Sequence, residues 1–284
     1  MGTTTDLLPV LEGRAYAELD GWRLVEVAGS DARAWLHDLL MADVESLGPG
    51  EARRALLLKP TGHIRADVTV AARGGGFLLV QDPRQPTTID RILAPYVLSA
   101  DVRLEDRTDE LRAVAFPNRP PDGSEGYAPS AAGPGHDRIL PAGETVEPRG
   151  AEPVPLEVLE AWRVVRGEAR FPQDLGERSL PNEAGLEMLI DHAEKGCFLG
   201  QEAVAKTRTL GRPPFALIAA RAEGGWEPGQ KVLARGAEVG EVTSAAEVDG
   251  AASLIARVRW SSREGELTVG GERLEVLGLA TGAG

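Results

Sequence analysis

From Phe215 onward the chain is written in short β-prone runs with glycine standing between them. Phe215–Ala220, Lys231–Ala234, Val239–Ser244, Ala252–Trp260 and Arg273–Leu277 each read as a strand, rich in branched or apolar residues and closed by turn formers. Such a series hides its apolar face by curling or doubling over, so residues 209–284 are expected to form a small antiparallel barrel or sandwich.

Residues 1–208 are mixed, which makes the class α+β with two domains, 1–208 and 209–284. Trp35, Leu36, Leu39 and Leu40 recur at helical spacing after Ser30, a candidate N-cap. Ile89, Ile92, Leu93, Tyr96 and Val97 do the same after Thr88, and Pro155–Val165 carries a third helical pattern. Strands are expected at Arg54–Leu58, Ile64–Val70, Gly76–Val80, Asp101–Glu105 and Leu111–Phe116, with Pro60-Thr61-Gly62 as a turn. Pro117–Gly135 is dense in proline, glycine, serine and alanine without periodicity, and reads as an exposed or partly disordered loop.

Composition excludes more than it selects. With 284 residues, 42% of them hydrophobic, the chain can bury a large core. No apolar run approaches the roughly 20 residues that span a bilayer. Met1–Asp6 lacks a basic and then apolar leader, so a cytoplasmic protein with no membrane partner is expected. A single cysteine rules out an intramolecular disulfide and a cysteine zinc cage. The net charge of −13 opposes nucleic-acid binding, although a local cluster of basic residues would still suit a small anion. No phosphate-binding loop and no Gly-x-Ser-x-Gly elbow is present, and Gly74-Gly75-Gly76 reads as a hairpin turn. His37, His63, His136 and His192 lack metal-ligand spacing, so no metal is expected; His192, near Cys197, reads first as a helix-end histidine and second as a base.

Lys195-Gly196-Cys197-Phe198-Leu199-Gly200-Gln201-Glu202 is the stretch that suggests chemistry. It sets the lone thiol between glycines, beside a lysine, and just ahead of a helical segment, Gln201–Arg208. A helix N-terminus and an ammonium both favour thiolate over thiol. The plainer alternative is that Cys197 is a small buried hydrophobe.

This string, with Val204-Ala205-Lys206 after it, resembles the signature of the YgfZ family, folate-binding relatives of the glycine-cleavage aminomethyltransferase that support iron–sulfur proteins. Gly29-Ser30-Asp31-Ala32 through Asp43-Val44 and Leu180-Pro181-Asn182-Glu183-Ala184 are similar to other segments of that superfamily, and the likeness covers roughly residues 20 to 245. Phe198 stands where tyrosine is usual. The resemblance implies an aminomethyltransferase-like folate-binding fold with a C-terminal antiparallel β-barrel, tetrahydrofolate as cofactor, and iron–sulfur client proteins as partners. It also implies a working thiol, Cys197, with Lys195 holding its charge.

For the folate pocket the candidates are Asp67, Arg163, Glu183, Gln201 and Glu202. Ile64, Ala66, Val68 and Val70 share one face of a strand and Arg65, Asp67 and Thr69 the other. Asp67 thus faces away from the apolar layer, as part of a solvated strand face or, by the resemblance, at the position of the transferase acid. Arg163, Arg166 and Arg170 would grip the anionic glutamate tail of a folate or simply pair with Glu157, Glu160 and Glu168 on a solvated helix. Glu183 would meet the pterin. Two rival functions follow: a true one-carbon transferase that needs Asp67 and not Cys197, and a folate-binding adaptor without chemistry.

Overall fold

Three sheets carry the chain in this computed structural model, which describes residues 5–121, 126–145, 148, 150–189, 195–210 and 212–282. The first sheet has the order Glu152–Pro153, Ala15–Glu18, Leu111–Pro117, Gly135–Pro141, Gly126–Tyr127, parallel only at its first pair. The second runs Ala52–Leu58, Ile64–Arg73, Gly76–Gln81, Arg23–Ala28, Arg103–Asp106 and is antiparallel throughout. The third takes seven strands from Phe215 to Leu279.

The second sheet is covered on both sides. Val25, Val27, Phe77 and Leu79 pack with helices Ala32–Leu39 and Ile89–Leu93, while Leu24, Leu78 and Val80 join the first sheet and helix Leu156–Val165 in a second core. Successive side chains of a strand point to opposite faces, so every residue of a strand in this position is enclosed. Within Ile64–Arg73 the alternation is as expected for Ala66, Val68 and Val70, which sit in the helix-covered core. Ile64 sits instead in a core shared with the C-terminal part, beyond a register shift between Leu57 and Leu58. The solvated face is not there: Asp67 is 8% and Thr69 7% exposed, with Trp22, the turn at Ala131 and the segment after Gly167 around them.

In the third sheet the order is Glu272–Arg273, Leu267–Val269, Lys231–Ala234, Ala237–Val248, Ala251–Arg259, Phe215–Ala222, Glu275–Leu279. Its two outermost strands are separated in sequence by Leu274 alone, so the sheet must curl until its edges meet. Ala216, Ile218, Val242, Leu254, Ala256 and Val258 fill the interior of that half-barrel. Its outer face is equally apolar where it meets the rest of the chain: Leu217, Ile255 and Ala280 share one core with Met41, Leu56, Leu58, Phe171 and Val204.

Two local expectations need correction. The helix at Ala32 is not capped by Ser30, whose hydroxyl donates instead to Asp101 at 2.8 Å. Pro117–Gly135 is not simply an exposed loop, since Gly126–Tyr127 pairs with Gly135–Pro141 and both Ser130 and Ala132 are buried; residues 122–125 lie outside the described residues. Among the described residues no helix is long and apolar enough to cross a membrane.

Candidate functional site

Strand Gly76–Gln81 ends in Asp82-Pro83-Arg84-Gln85, and the first three of these residues meet Trp22 and Arg170 around a cavity of about 290 Å³. Leu19, Ala132, Leu156 and Leu159 supply its apolar wall. The cavity narrows inward past Trp22, Asp82 and Arg170 to a closed end of about 20 Å³ lined by Arg54, Asp67, Gln85, Ala131 and Glu168, room for about one water. The Arg170 guanidinium lies 5.6 Å from the centre of the Trp22 ring. Burial and the neighbouring Arg163 push its pKa down against the pull of Glu168, Glu160 and Asp82.

Asp67 is fixed at the closed end. Its carboxylate takes two N–H groups of Arg54, at 3.0 and 2.6 Å, a parallel pair with little freedom. The Asp67 backbone is clamped as well, donating to Gln85 Oε1 at 3.1 Å and accepting from Gln85 Nε2. Arg54 also donates to the Ala169 carbonyl at 2.7 Å and lies 3.5 Å from Glu168. Burial opposes that charge, but Asp67 and Glu168 outweigh it, and the Arg54 pKa rises above its ordinary value.

At the open end, burial alone would raise the Asp82 carboxyl. The hydrogen bonds from Arg84 and the charge of Arg170 outweigh it and hold Asp82 below the usual carboxylate range. Glu160 behaves alike: burial pushes it up and the arginines Arg163, Arg170 and Arg84 bring it lower.

Arg163 is not in the cavity. It is fully buried behind it, donating to Glu160 at 2.5 Å, to Asp174 at 2.7 Å, to Ser244 at 2.8 Å and to the Glu168 carbonyl. The arginines do pair with Glu160 and Glu168, but on a buried face rather than a solvated one, because strand Ala237–Val248 packs against this helix. Glu183 is also fully buried and away from Asp67: its carboxylate accepts from Arg257 at 3.2 Å, and burial raises its pKa against that partner. Asp67 and Arg170 are therefore brought together, and Arg163 and Glu183 are tied instead to the C-terminal half-barrel. Gln201 and Glu202 line neither end of this cavity; the Gln201 side chain accepts from the Phe198 N–H at 3.2 Å, and Glu202 is exposed.

Cys197 is exposed, not a buried hydrophobe, and stands four residues ahead of helix Gln201–Leu210. Its loop is fastened to the end of helix Ala32–Leu39, where the last carbonyls have no partner within the helix. Lys195 Nζ donates to the His37 carbonyl and the Leu199 N–H to the Asp38 carbonyl at 3.1 Å. The ammonium also lies 5.7 Å from the centre of the Phe198 ring. None of its contacts among the described residues reaches the Cys197 thiol. Burial pushes the Lys195 pKa down to about 8, although Asp38, Asp43 and Glu45 pull it up. Of the two flanking glycines only Gly200 is obligatory: at φ +85° a Cβ there would sit 2.6 Å from the Lys59 carbonyl oxygen. His192 lies outside the described residues.

Trp22, Asp82, Arg84 and Gln85 escaped the reading of the sequence. The signal for the last three was a polar cluster placed directly after the apolar strand Gly76–Gln81, where a sheet delivers side chains to a pocket.

Residues 6–116 match the GCVT N-terminal domain family. An aminomethyltransferase of Rubrobacter xylanophilus is 26% identical over 257 residues, 78% of this chain and 68% of that one. A putative chloroplastic transferase of Arabidopsis thaliana is 25% identical, over 82% of this chain and 62% of its own. The crystal structure of the glycine cleavage system aminomethyltransferase T from Bartonella henselae superposes with a TM-score of 0.80 at 18% identity, covering 99% of this chain and 91% of that one. The chain is thus similar to aminomethyltransferases, and its residues 6–116 to the GCVT N-terminal domain. It shares the aminomethyltransferase fold, with a C-terminal antiparallel half-barrel.

Proposed function

We propose that this chain binds tetrahydrofolate in the cavity beside Trp22 and, as a cytoplasmic protein of the YgfZ type, supports the assembly or repair of iron–sulfur enzymes through the Cys197 thiol. The observation that carries the reading is the commitment of Asp67 to Arg54 at the closed end. A carboxylate held by two guanidinium N–H groups, with space beside it for about one water, is poorly placed to accept a proton from a substrate amine. That favours binding without aminomethyl transfer. An exposed Cys197, reachable by a partner protein, supports the other half of the reading.

The lining fits a pterin better than the glutamate tail. Asp20, Asp82, Glu157 and Glu160 outnumber Arg84 and Arg170, so the cavity seeks hydrogen-bond donors, which the amino-pyrimidine edge of a pterin supplies. The volume is at the small end of the roughly 300–1,000 Å³ of small-molecule sites, enough for a bicyclic head with the tail directed outward. Trp22 would stack on the ring system and Asp82 and Glu160 would take its N–H groups. Tetrahydrofolate, when bound, supplies a carrier for one-carbon units on its ring nitrogens.

Calorimetric titration with tetrahydrofolate and rescue of iron–sulfur enzyme activity in a deletion strain test the two halves separately. Cys197→Ser should bind tetrahydrofolate like the wild type and fail to restore activity. Full rescue by Cys197→Ser would remove the thiol from the function and favour the transferase. Absence of tetrahydrofolate binding by the wild type would remove the cavity assignment.

A further inference from the structure

Asp137 is a carboxyl group enclosed in protein with, among the described residues, no cation paired with it. It stands on strand Gly135–Pro141, 3% exposed, opposite Ala115 on one side and Tyr127 on the other. His136 and Arg138 flank it in sequence and so belong to the other face of the strand. Its hydrogen bonds among the described residues go to one turn: Oδ1 accepts from the Ser130 hydroxyl and Oδ2 from the Ala131 N–H at 2.7 Å. Ser130 Oγ in turn accepts from the Ala132 N–H at 3.0 Å. Ala131 lines the closed end of the cavity, beside Asp67, and Ala132 the open end, beside Arg170. Behind the turn, a Cβ on Gly133 would come within 2.6 Å of the Arg166 guanidinium, so the turn has no room to retreat.

A carboxyl in such a place is costly unless both of its oxygens are used. Strand residues facing a core are ordinarily apolar, and the apolar, buried Ala115 lies across from this one. Among the described residues, the hydrogen bonds of this side chain hold two consecutive residues of a short turn beside the cavity that Trp22 and Arg170 also line. We infer that Asp137 is a positioning residue that sets one wall of the ligand cavity through Ser130 and Ala131. Its effect on a ligand rests on the folate reading given above; its effect on the turn does not.

The test is amide hydrogen exchange at Ala131 and Ala132 together with tetrahydrofolate titration, on the full chain. Asp137→Ala should speed exchange at both amides and weaken tetrahydrofolate binding about tenfold. Asp137→Asn, which can still accept from the Ala131 N–H and donate to Ser130 Oγ, should restore both to near the wild-type values. Ser130→Ala, a milder change, should release Ala132 while leaving Ala131 protected, and serves if Asp137→Ala does not fold. Unchanged exchange at Ala131 in a folded Asp137→Ala, or at Ala132 in Ser130→Ala, would overturn the inference. So would faster exchange with undiminished tetrahydrofolate affinity, since the wall would then be irrelevant to the ligand. A wild type that does not bind tetrahydrofolate, with exchange responding as stated, would overturn the folate reading and leave the turn assignment standing.

Discussion

Lys195 sits within reach of three carboxylates and still loses affinity for its proton, because burial costs the ammonium more than Asp38, Asp43 and Glu45 return. The protein therefore carries a lysine titrating near pH 8 in the folded state and near its ordinary value of 10.5 when unfolded. Between those two values the unfolded chain binds more protons than the folded one, so this group makes stability rise with pH through that window. Lys195→Met should lose that rise. Denaturant midpoints measured from pH 7 to 10.5 for both proteins check it, and parallel curves would show that Lys195 is ordinary. Its hydrogen bond to the His37 carbonyl makes it a clasp between the loop and the end of helix Ala32–Leu39. That much was hidden in the sequence: the lysine was visible beside the cysteine, but the carbonyl it reaches belongs to a residue far upstream.

Gly200 and Gly62 show how an element is seated by the absence of side chains. Gly62 turns between strands Ala52–Leu58 and Ile64–Arg73, and a Cβ on it would come within 2.6 Å of the Ala203 methyl. Gly200 approaches the Lys59 carbonyl from the other side, so helix Gln201–Leu210 lies directly on this turn. Gly200→Ala combines a left-handed backbone with a backbone collision and should cost more than about 1 kcal/mol. Thermal unfolding would register it, and a loss under about 0.3 kcal/mol would mean that the loop simply moves aside. Alternation made strands Ile64–Arg73 and Gly76–Gln81 readable, as it did most of the half-barrel. Ala15–Glu18, Arg23–Ala28 and Gly135–Pro141 went unread: they are short, carry charges such as Glu18, Arg23 and Asp137, and hold together through partners distant in sequence. The cavity was half legible for the same reason. Asp67 and Arg170 could be singled out locally, whereas the fact that Asp82 and Glu160 line one cavity, or that Glu183 faces Arg257, is a product of packing between elements.

At the scale of the whole molecule, the half-barrel and the rest of the chain share a core. Leu217, Ile255 and Ala280 complete the cluster around Phe171 and Leu58, and Arg163 reaches across to Ser244. A chain ending at Arg208 would expose that apolar surface, at about 25 cal/mol for every Å² uncovered, and leave the Arg163 guanidinium short of a partner. It should be insoluble or lack a cooperative unfolding transition, where a monomeric truncation with a sharp transition would make the half-barrel an independent module. The back of the cavity depends on residues later still. Ala169 donates to the Ala280 carbonyl at 3.0 Å and Arg166 to the Gly282 carbonyl at 2.9 Å, next to Glu168 at the closed end. Strand Glu275–Leu279 in turn pairs with Phe215–Ala222, the first strand of its sheet. During synthesis, then, the nascent protein emerges with this cavity unfinished: the segment that presents Glu168 lacks these two bonds until residue 282 has left the ribosome.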